Sequence, residues 1–230
     1  MPPSDIAAEL ERILAQGGAA LFGFADLRGL TPPPLAQYDH AVSLALAMEP
    51  GIMASVIAGP NQAYAQLYAR TNERLGALCA RLEEALKAAG HQAWAVPASV
   101  RSDPVNMRGD FPHKTAATRA GLGWIGKNAQ LVTHSLGPWL RLGTVLTDCP
   151  LPAAAPVERS FCGDCEACLR ACPAGALNGA QWTPGLIREQ IFSAHTCDAW
   201  KKENFLRIHD GHICGICTAA CPFGQKTLRR

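Results

Sequence analysis

The chain has 230 residues, of which 48% are hydrophobic and 17% are charged, a composition that can bury the core of a globular protein. Its formal net charge of +2 is too small for a typical nucleic-acid-binding protein, whose phosphate contacts need a dense basic stripe. The sequence thus gives no strong nucleic-acid signal, and the terminal basic cluster of Lys226, Arg229 and Arg230 is interpreted as a solvated tail.

The N-terminal residues and the longest uncharged stretch bear on the compartment. Met1 to Asp5 lack the basic region of a secretory signal. The uncharged stretch 51–69 is interrupted by Gly59 and Pro60, so it does not read as a membrane span. We therefore expect a cytoplasmic protein with no membrane partner, in which clustered cysteines serve as metal ligands and not as disulfides.

The first 150 residues alternate helical and strand-like patterns, with breakers between them. The two earliest apolar runs are interpreted as buried strands, with helix as the alternative. In chain order we predict a helix capped by Ser4 or Asp5 and ended by Gly17 and Gly18, strands at 19–25 and 41–48, a helix at 63–89, a strand at 91–96, a short helix at 111–120, and strands at 130–133 and 139–146.

Two cysteines of this region lie outside any motif. Cys79 falls inside the long predicted helix and is interpreted as a buried structural thiol. Cys149 begins the proline-rich stretch 149–157, which has the composition of an extended linker, and is interpreted as a spare thiol. We place a domain boundary in this stretch, giving domains at 1–155 and 156–230.

The C-terminal domain carries a C-x2-C-x2-C-x3-C-P run, the spacing typical of bacterial ferredoxins with two [4Fe-4S] clusters. In such a run three thiolates converge on one cluster, and the fourth cysteine faces a second cluster. A shorter run ends at Cys221 and Pro222, and Cys197 is the best candidate for the missing ligand because the domain has no other cysteine. We predict Cys162, Cys165, Cys168 and Cys221 as ligands of cluster 1, and Cys172, Cys197, Cys214 and Cys217 as ligands of cluster 2.

A pair of structural zinc sites is the alternative, since C-x2-C pairs also bind zinc. Zinc requires neither the third cysteine of the first run nor the proline after each run, so iron–sulfur is favoured. His195, His209 and His212 lie near the second run and are interpreted as hydrogen-bonding or surface residues.

A glycine-rich segment, 120–128, precedes the cysteines. Its glycines would let the backbone approach a flat ligand, Lys127 and Asn128 could meet phosphate or amide groups, and Trp124 offers an apolar surface. The alternative is a turn built for tight packing, with Trp124 in the core. Gly121, Gly123 and Gly126 match G-x-G-x-x-G, but a short helix and not a strand precedes them, which disfavours a dinucleotide site.

The sequence Ala120-Gly-Leu-Gly-Trp-Ile-Gly-Lys-Asn128, together with Leu131-Val132-Thr133, Leu142-Gly143 and Leu146-Thr147-Asp148, resembles epoxyqueuosine reductase and its relatives. The resemblance covers roughly residues 90 to 230. It implies an α+β fold in which a nitroreductase-like α/β domain, which binds cobalamin, is followed by a small bacterial-ferredoxin-like domain with two clusters. It also implies a cobalamin pocket lined by Gly121, Gly123, Trp124, Gly126, Lys127 and Asn128.

The chain departs from this family at its proton-donating aspartate. The family carries it in an Asp-x-x-Pro-Val type motif at a fixed distance before the glycine loop, a position that Met107 occupies here. Asp103 and Asp110 are the nearest carboxylates, and a buried carboxylate with a raised pKa can donate a proton. His113 is a further candidate acid, with a helix-cap role as its alternative.

The resemblance implies an oxidoreductase that passes electrons from an external donor, such as a ferredoxin or flavodoxin, through two [4Fe-4S] clusters to cobalamin. Its substrate could be a corrinoid or a modified tRNA. The alternative is an electron-transfer or corrinoid-reducing protein without substrate chemistry of its own, which the displaced aspartate favours. A simple ferredoxin is disfavoured, because an electron carrier has no use for the glycine loop.

Overall fold

The computed structural model describes residues 2–229. Its contacts divide the chain into two compact units, each made of segments that are distant in sequence. The first unit contains the segment that ends at Ala47, Thr71–Leu122 and Arg141–Val157. The second contains Met48–Arg70, Gly123–Leu140 and the segment that begins at Glu158. The second unit also contains two segments from earlier in the chain. The domain boundary expected at 155/156 therefore stays a prediction.

The elements mix helices with short strands, as the predicted fold class requires. The helices are α1 (Pro3–Gln16), α2 (Pro50–Ser55), α3 (Gln62–Ala88), α4 (His113–Arg119), α5 (Ala167–Ala171), α6 (Arg188–Ile191), α7 (Ala194–Phe205), α8 (Ile216–Ala219) and α9 (Pro222–Gln225). The strands are β1 (Leu21–Asp26), β2 (His40–Ala47), β3 (Ala93–Ala95), β4 (Trp124–Ile125), β5 (Leu131–Val132) and β6 (Leu140–Thr147).

The first unit is built on a four-stranded sheet with the order β1-β2-β6-β3. β1 and β3 pair antiparallel with β2 and β6, respectively. The apolar faces of α1 and α3 cover this sheet, with Leu10 and Leu82 fully buried in one cluster that also holds Cys79. The predicted strands at 19–25 and 41–48 and the long helix are therefore confirmed.

The start of α1 differs from the prediction. The helix begins at Pro3, with Pro2 as the residue before it and no side-chain cap. The cap predicted at Ser4 or Asp5 is wrong, because the fixed φ of proline already suits the first helical position and moves the start toward the terminus.

The stretch from Cys149 to Val157 forms no helix or strand, as predicted; residues 152–155 are exposed, but the stretch is attached to the first unit at several points. Cys149 is fully buried in the core of the first unit. The Ala154 amide donates to the Phe24 carbonyl at 2.9 Å, and the Val157 amide donates to the Thr118 carbonyl at 2.9 Å. These bonds attach the segment to the first unit, and they give the two backbone N–H groups their hydrogen-bond partners.

The second unit has its own core, in which residues of the 48–70 segment pack against residues close to the second cysteine run. Trp139 lies at its centre, and its indole N–H donates to the Thr218 carbonyl at 2.8 Å. β4 and β5 form a hairpin in which Trp124 faces Val132 in register. Among the helices of the described residues, none has the length and apolar character that crossing a membrane requires.

Candidate functional site

The first cysteine run forms a tight turn that leads into α5. The Cys165 amide donates to the Cys162 carbonyl at 3.1 Å. Gly163, between them, has φ +52, a left-handed conformation that favours glycine. α5 then contains Cys168 and ends at Cys172, so that the fourth cysteine leaves the helix in extended backbone.

The thiols of this run influence one another and Cys221. The pKa of Cys168 is raised to about 11, first by burial and then by the nearby thiols of Cys162, Cys221 and Cys165. The pKa of Cys221 is also raised, first by burial and then by Cys162 and Cys165, against the lowering effect of hydrogen bonds from the Phe223 and Gly224 amides. We call Cys162, Cys165, Cys168 and Cys221 the first thiol group.

The remaining cysteines of the second unit form another set. Burial raises the pKa of Cys217, and Cys214, Cys197 and Cys172 raise it further. The pKa of Cys197 is raised by burial and by Cys214 and Cys172 in the same way. We call Cys172, Cys197, Cys214 and Cys217 the second thiol group; the two groups are neighbours, since Cys168 also acts on Cys217.

Helix starts position the later cysteines. Cys197 lies in the first turn of α7, which Ser193 caps by accepting the Thr196 amide at 3.3 Å. Cys221 is the residue before α9, where Pro222 takes the first helical position. Gly215, at φ +91, caps α8, and a Cβ atom there would lie 2.9 Å from a methyl group of Val56. Glycine is thus required next to Cys214.

Each thiol group offers the donor set of a [4Fe-4S] cluster, which is held by four thiolates. Within residues 2–229, no three His, Cys, Asp or Glu side chains converge tightly enough to share one metal ion. The grouping therefore rests on the mutual electrostatic influence of the thiols and not on short ligand contacts. Burial raises the pKa of five of the eight thiols and so disfavours their ionisation, and the positive charge of iron would offset that cost; the five are Cys168, Cys197, Cys214, Cys217 and Cys221.

An aromatic cluster lies against the first thiol group. Trp124 is only 1% exposed, and its indole nitrogen lies 3.5 Å from the Cys162 sulfur in a hydrogen bond. Phe223 and Phe161 meet its ring edge-to-face, with centroids 5.0 and 5.1 Å away, and the exposed ring of His134 lies 4.9 Å away. Sequence reasoning missed this cluster, although Phe161 and Phe223 stand beside cysteine motifs.

The glycine loop serves the packing of its own hairpin. A Cβ atom on Gly123 would lie 2.2 Å from the Val132 carbonyl oxygen, and one on Gly126 would lie 2.7 Å from the Val132 side chain. Lys127 and Asn128 are 6% and 3% exposed, and the Asn128 side chain accepts the Gln130 amide at 3.1 Å. These features match the packing alternative, and a ligand role for the loop stays a prediction.

Gly121 lies in the first unit, one residue before its boundary. It has φ +73, and a Cβ atom there would lie 2.9 Å from the Ala155 carbonyl oxygen. Backbone conformation and close approach therefore both require glycine at this position.

The candidate proton donors Asp103, Asp110 and His113 lie in the first unit. Hydrogen bonds from the Asn106 backbone and side chain, at 2.9 and 2.7 Å, lower the pKa of Asp103. Asp110 is exposed. Asp103 is thus held ionised, the opposite of what an acid needs, and the catalytic role of either aspartate stays a prediction.

His113 begins α4 and is held by two partners. Its Nδ1 lies 2.9 Å from the Thr144 hydroxyl, and the Pro97 backbone provides a second hydrogen bond. Burial lowers its pKa to about 4, against the smaller raising effect of the Pro97 bond. A neutral, doubly bonded imidazole fits a structural residue better than an acid, so its catalytic role also stays a prediction.

The three histidines near the second run are exposed. The charged residue that does lie near this run is Lys201, four residues after Cys197 on α7, hence on the same helix face. Lys201 is buried, donates to the His212 carbonyl at 3.0 Å and lies 3.5 Å from the buried Asp198 carboxylate. The i,i+4 spacing from Cys197 could have identified it in the sequence.

Comparison with known proteins agrees with a domain that binds two clusters. Residues 161–224 match a family model described as a 4Fe-4S double cluster binding domain. An epoxyqueuosine reductase of Synechococcus sp. (strain RCC307) is 40% identical over 115 residues, which are 49% of this chain and 34% of that protein. One from Vibrio cholerae serotype O1 is 32% identical over 189 residues, 75% of this chain and 46% of that protein.

The chain is similar in sequence to epoxyqueuosine reductases. It spans about a third to a half of the length of the curated reductases it matches. An epoxyqueuosine reductase solved with a modified tRNA stem loop superposes with a TM-score of 0.64 and 20% identity, over 97% of this chain and 66% of the other. A catabolic reductive dehalogenase superposes with a TM-score of 0.75 and 20% identity, over 99% and 34%. These likenesses establish a fold shared with both kinds of reductase.

Proposed function

We propose that the chain is an oxidoreductase that binds two [4Fe-4S] clusters, one in each thiol group. The observation that carries the proposal is the match of residues 161–224, which contain eight cysteines, to a 4Fe-4S double cluster binding domain. When bound, the clusters supply one-electron transfer. The chain's own contribution is to bring the thiolates together, to bury Cys168 and Cys221, and to set the charges around the thiolates.

Beyond cluster binding, we propose a cytoplasmic reductase of the epoxyqueuosine reductase type, which acts with a corrinoid and receives electrons from an external donor such as a ferredoxin or flavodoxin. Sequence similarity to epoxyqueuosine reductases supports this reaction class. A dehalogenase of similar fold, described as acting by B12-dependent dehalogenation, supports the corrinoid. The loop side chains of Trp124, Lys127 and Asn128 are buried, so they do not fit a surface for this cofactor, and we derive no step through it.

The second candidate function is an electron-transfer or corrinoid-reducing protein that performs no substrate chemistry. The surroundings of the candidate acids favour it: Asp103 is held ionised by Asn106, and His113 is neutral and engaged on both sides. Neither group is prepared to give a proton to a substrate near pH 7.

The first experiment is anaerobic reconstitution with iron and sulfide. The proposal expects about eight iron atoms per chain and a reducible iron–sulfur spectrum, since each cluster holds four. About four iron atoms, or zinc in place of iron, would contradict two-cluster binding.

The second experiment titrates the holoprotein with cobalamin under reducing conditions. A change in the cobalamin spectrum is expected, and its absence would remove the corrinoid part of the proposal. Turnover of a tRNA stem loop containing epoxyqueuosine then separates the candidates: reduction supports the enzyme, whereas cobalamin reduction without substrate turnover supports the carrier.

A further inference from the structure

We infer that Trp124 sets the reduction potential of the first cluster by donating its indole N–H to the sulfur of Cys162; this inference rests on the proposed cluster binding. The donor–acceptor distance is 3.5 Å, within the range for a hydrogen bond to sulfur. A fully buried tryptophan needs a partner for its N–H, because an unsatisfied buried donor is costly. In Trp124 that partner is a candidate cluster ligand.

The surroundings hold the indole in this position. Trp124 pairs with Val132 across the β4–β5 hairpin, and Gly123 lets the two strands approach. Phe161 and Phe223 contact the ring edge-to-face. Phe161 directly precedes Cys162, and Phe223 lies two residues after Cys221, so both contacts to the ring come from residues close in sequence to members of the first thiol group.

The direction of the effect follows from charge. Reduction adds one negative charge to a cluster, and part of that charge lies on the cysteine sulfurs. A hydrogen bond to a charged acceptor is stronger than one to a neutral acceptor, so the N–H stabilises the reduced state more than the oxidised state. Aromatic burial has the opposite effect, because it disfavours charge. The indole N–H therefore raises the potential of a cluster whose apolar enclosure would otherwise lower it.

The test uses the anaerobically reconstituted holoprotein and follows each cluster by electron paramagnetic resonance during a potentiometric titration. Position 124 receives either phenylalanine (W124F) or a tryptophan analogue in which sulfur replaces the ring N–H. The analogue keeps the shape of the indole, so it tests the hydrogen bond even if W124F fails to fold. The C197A variant, which should retain only the first cluster, identifies which signal belongs to it.

Loss of the N–H should lower the potential of the first cluster alone. At the wild-type midpoint, the ratio of reduced to oxidised first cluster should fall about tenfold, equivalent to about 59 mV for one electron. The coupling of an exchangeable deuteron to this cluster in heavy water should also disappear. The control is W94F: Trp94 lies in β3 of the first unit, which contains none of the eight candidate ligands, so neither potential should move.

Unchanged potentials and an unchanged deuteron coupling in a variant with full iron content would overturn the inference while leaving the proposed function intact. Equal shifts of both clusters would also overturn it, because they would indicate a general structural change. A wild-type protein that takes up no iron would overturn the proposed function itself, and the inference with it.

Discussion

The backbone of Gly137 lies directly against the backbone of Gly224: a Cβ atom on Gly137 would fall 2.2 Å from the Gly224 amide nitrogen. Gly224 in turn lies against Trp139, whose ring nitrogen would be 2.5 Å from a Cβ atom on Gly224. Because Gly224 follows Cys221 by three residues on α9, this contact positions the helix that begins after a candidate cluster ligand.

We predict that Gly137→Ala destabilises the protein by about 3 kcal/mol, because the new methyl group meets backbone that has no rotamer to escape into. Gly175→Ala is the control: Gly175 has φ +58, nearly the same as φ +57 at Gly137, but has open space around it. Its cost should be about 1–2 kcal/mol, from backbone conformation alone. Chemical denaturation measures the free energy of unfolding of both variants. Equal losses of stability would mean that the close approach to Gly224 does not destabilise the Gly137→Ala variant.

A second prediction concerns the buried charge beside the second thiol group. Lys201→Met removes an ammonium that is one helical turn from Cys197, so the reduced state of the second cluster loses a favourable charge and its potential should fall. Lys202→Met is the matched control, because Lys202 pairs with the same Asp198 at 2.9 Å but has 51% of its side chain exposed, against 11% for Lys201. Solvent screens an exposed charge, so this variant should leave both potentials close to wild type.

Redox titration of both variants distinguishes the two lysines. Similar shifts in Lys201→Met and Lys202→Met would mean that net charge, and not burial next to Cys197, controls the potential. A shift in the potential of the first cluster alone would contradict the placement of Lys201 beside the second thiol group.

The sequence predicted elements whose signal is local. The spacing of Leu75, Leu78 and Leu82 predicts α3, and alternating breakers delimit β1 and β2; both follow from backbone periodicity. The family model over residues 161–224 likewise agrees with the double-cluster domain that the cysteine spacing predicts. Such patterns need no knowledge of the rest of the fold.

Other features depend on partners that are distant in sequence. The β4–β5 hairpin has two-residue strands, too short for any periodic signal, so the glycine loop could be interpreted as a ligand loop as readily as a packed turn. Composition marked the segment after Cys149 as a linker. The segment nevertheless donates hydrogen bonds to Phe24 and Thr118, which are more than thirty residues away in the sequence. The neutral state of His113 likewise follows from burial beside Thr144, which no local pattern encodes.

A third prediction follows from the pKa of His113, which burial lowers from 6.5 to about 4 in the folded protein. Between these values the unfolded chain binds a proton that the folded protein does not. The contribution to stability is therefore full above pH 6.5 and is lost as the pH falls toward 4, by up to about 3 kcal/mol. His113→Gln should lower the free energy of unfolding at pH 7.5. It should also reduce the amount by which that free energy falls between pH 7.5 and pH 5.

Denaturation at the two pH values checks this prediction. His212→Gln is the control, because the His212 side chain is exposed and its replacement should leave the pH dependence unchanged. Parallel pH profiles for wild type and His113→Gln would contradict the assignment of a neutral, half-buried imidazole.

The last prediction separates the two thiol groups. Cys197→Ala removes a member of the second group, so about four of about eight iron atoms should be lost and the spectrum of the first cluster should persist. Cys165→Ala should do the reverse, because Cys165 acts on Cys168 and Cys221 of the first group. Cys79→Ala provides the control: its thiol lies in the core of the first unit, with a pKa that burial raises to about 12, and its loss should cost stability but no iron. Loss of all iron in Cys197→Ala alone would make the second cluster a structural requirement for the first, whereas loss of none would remove Cys197 from the ligand set.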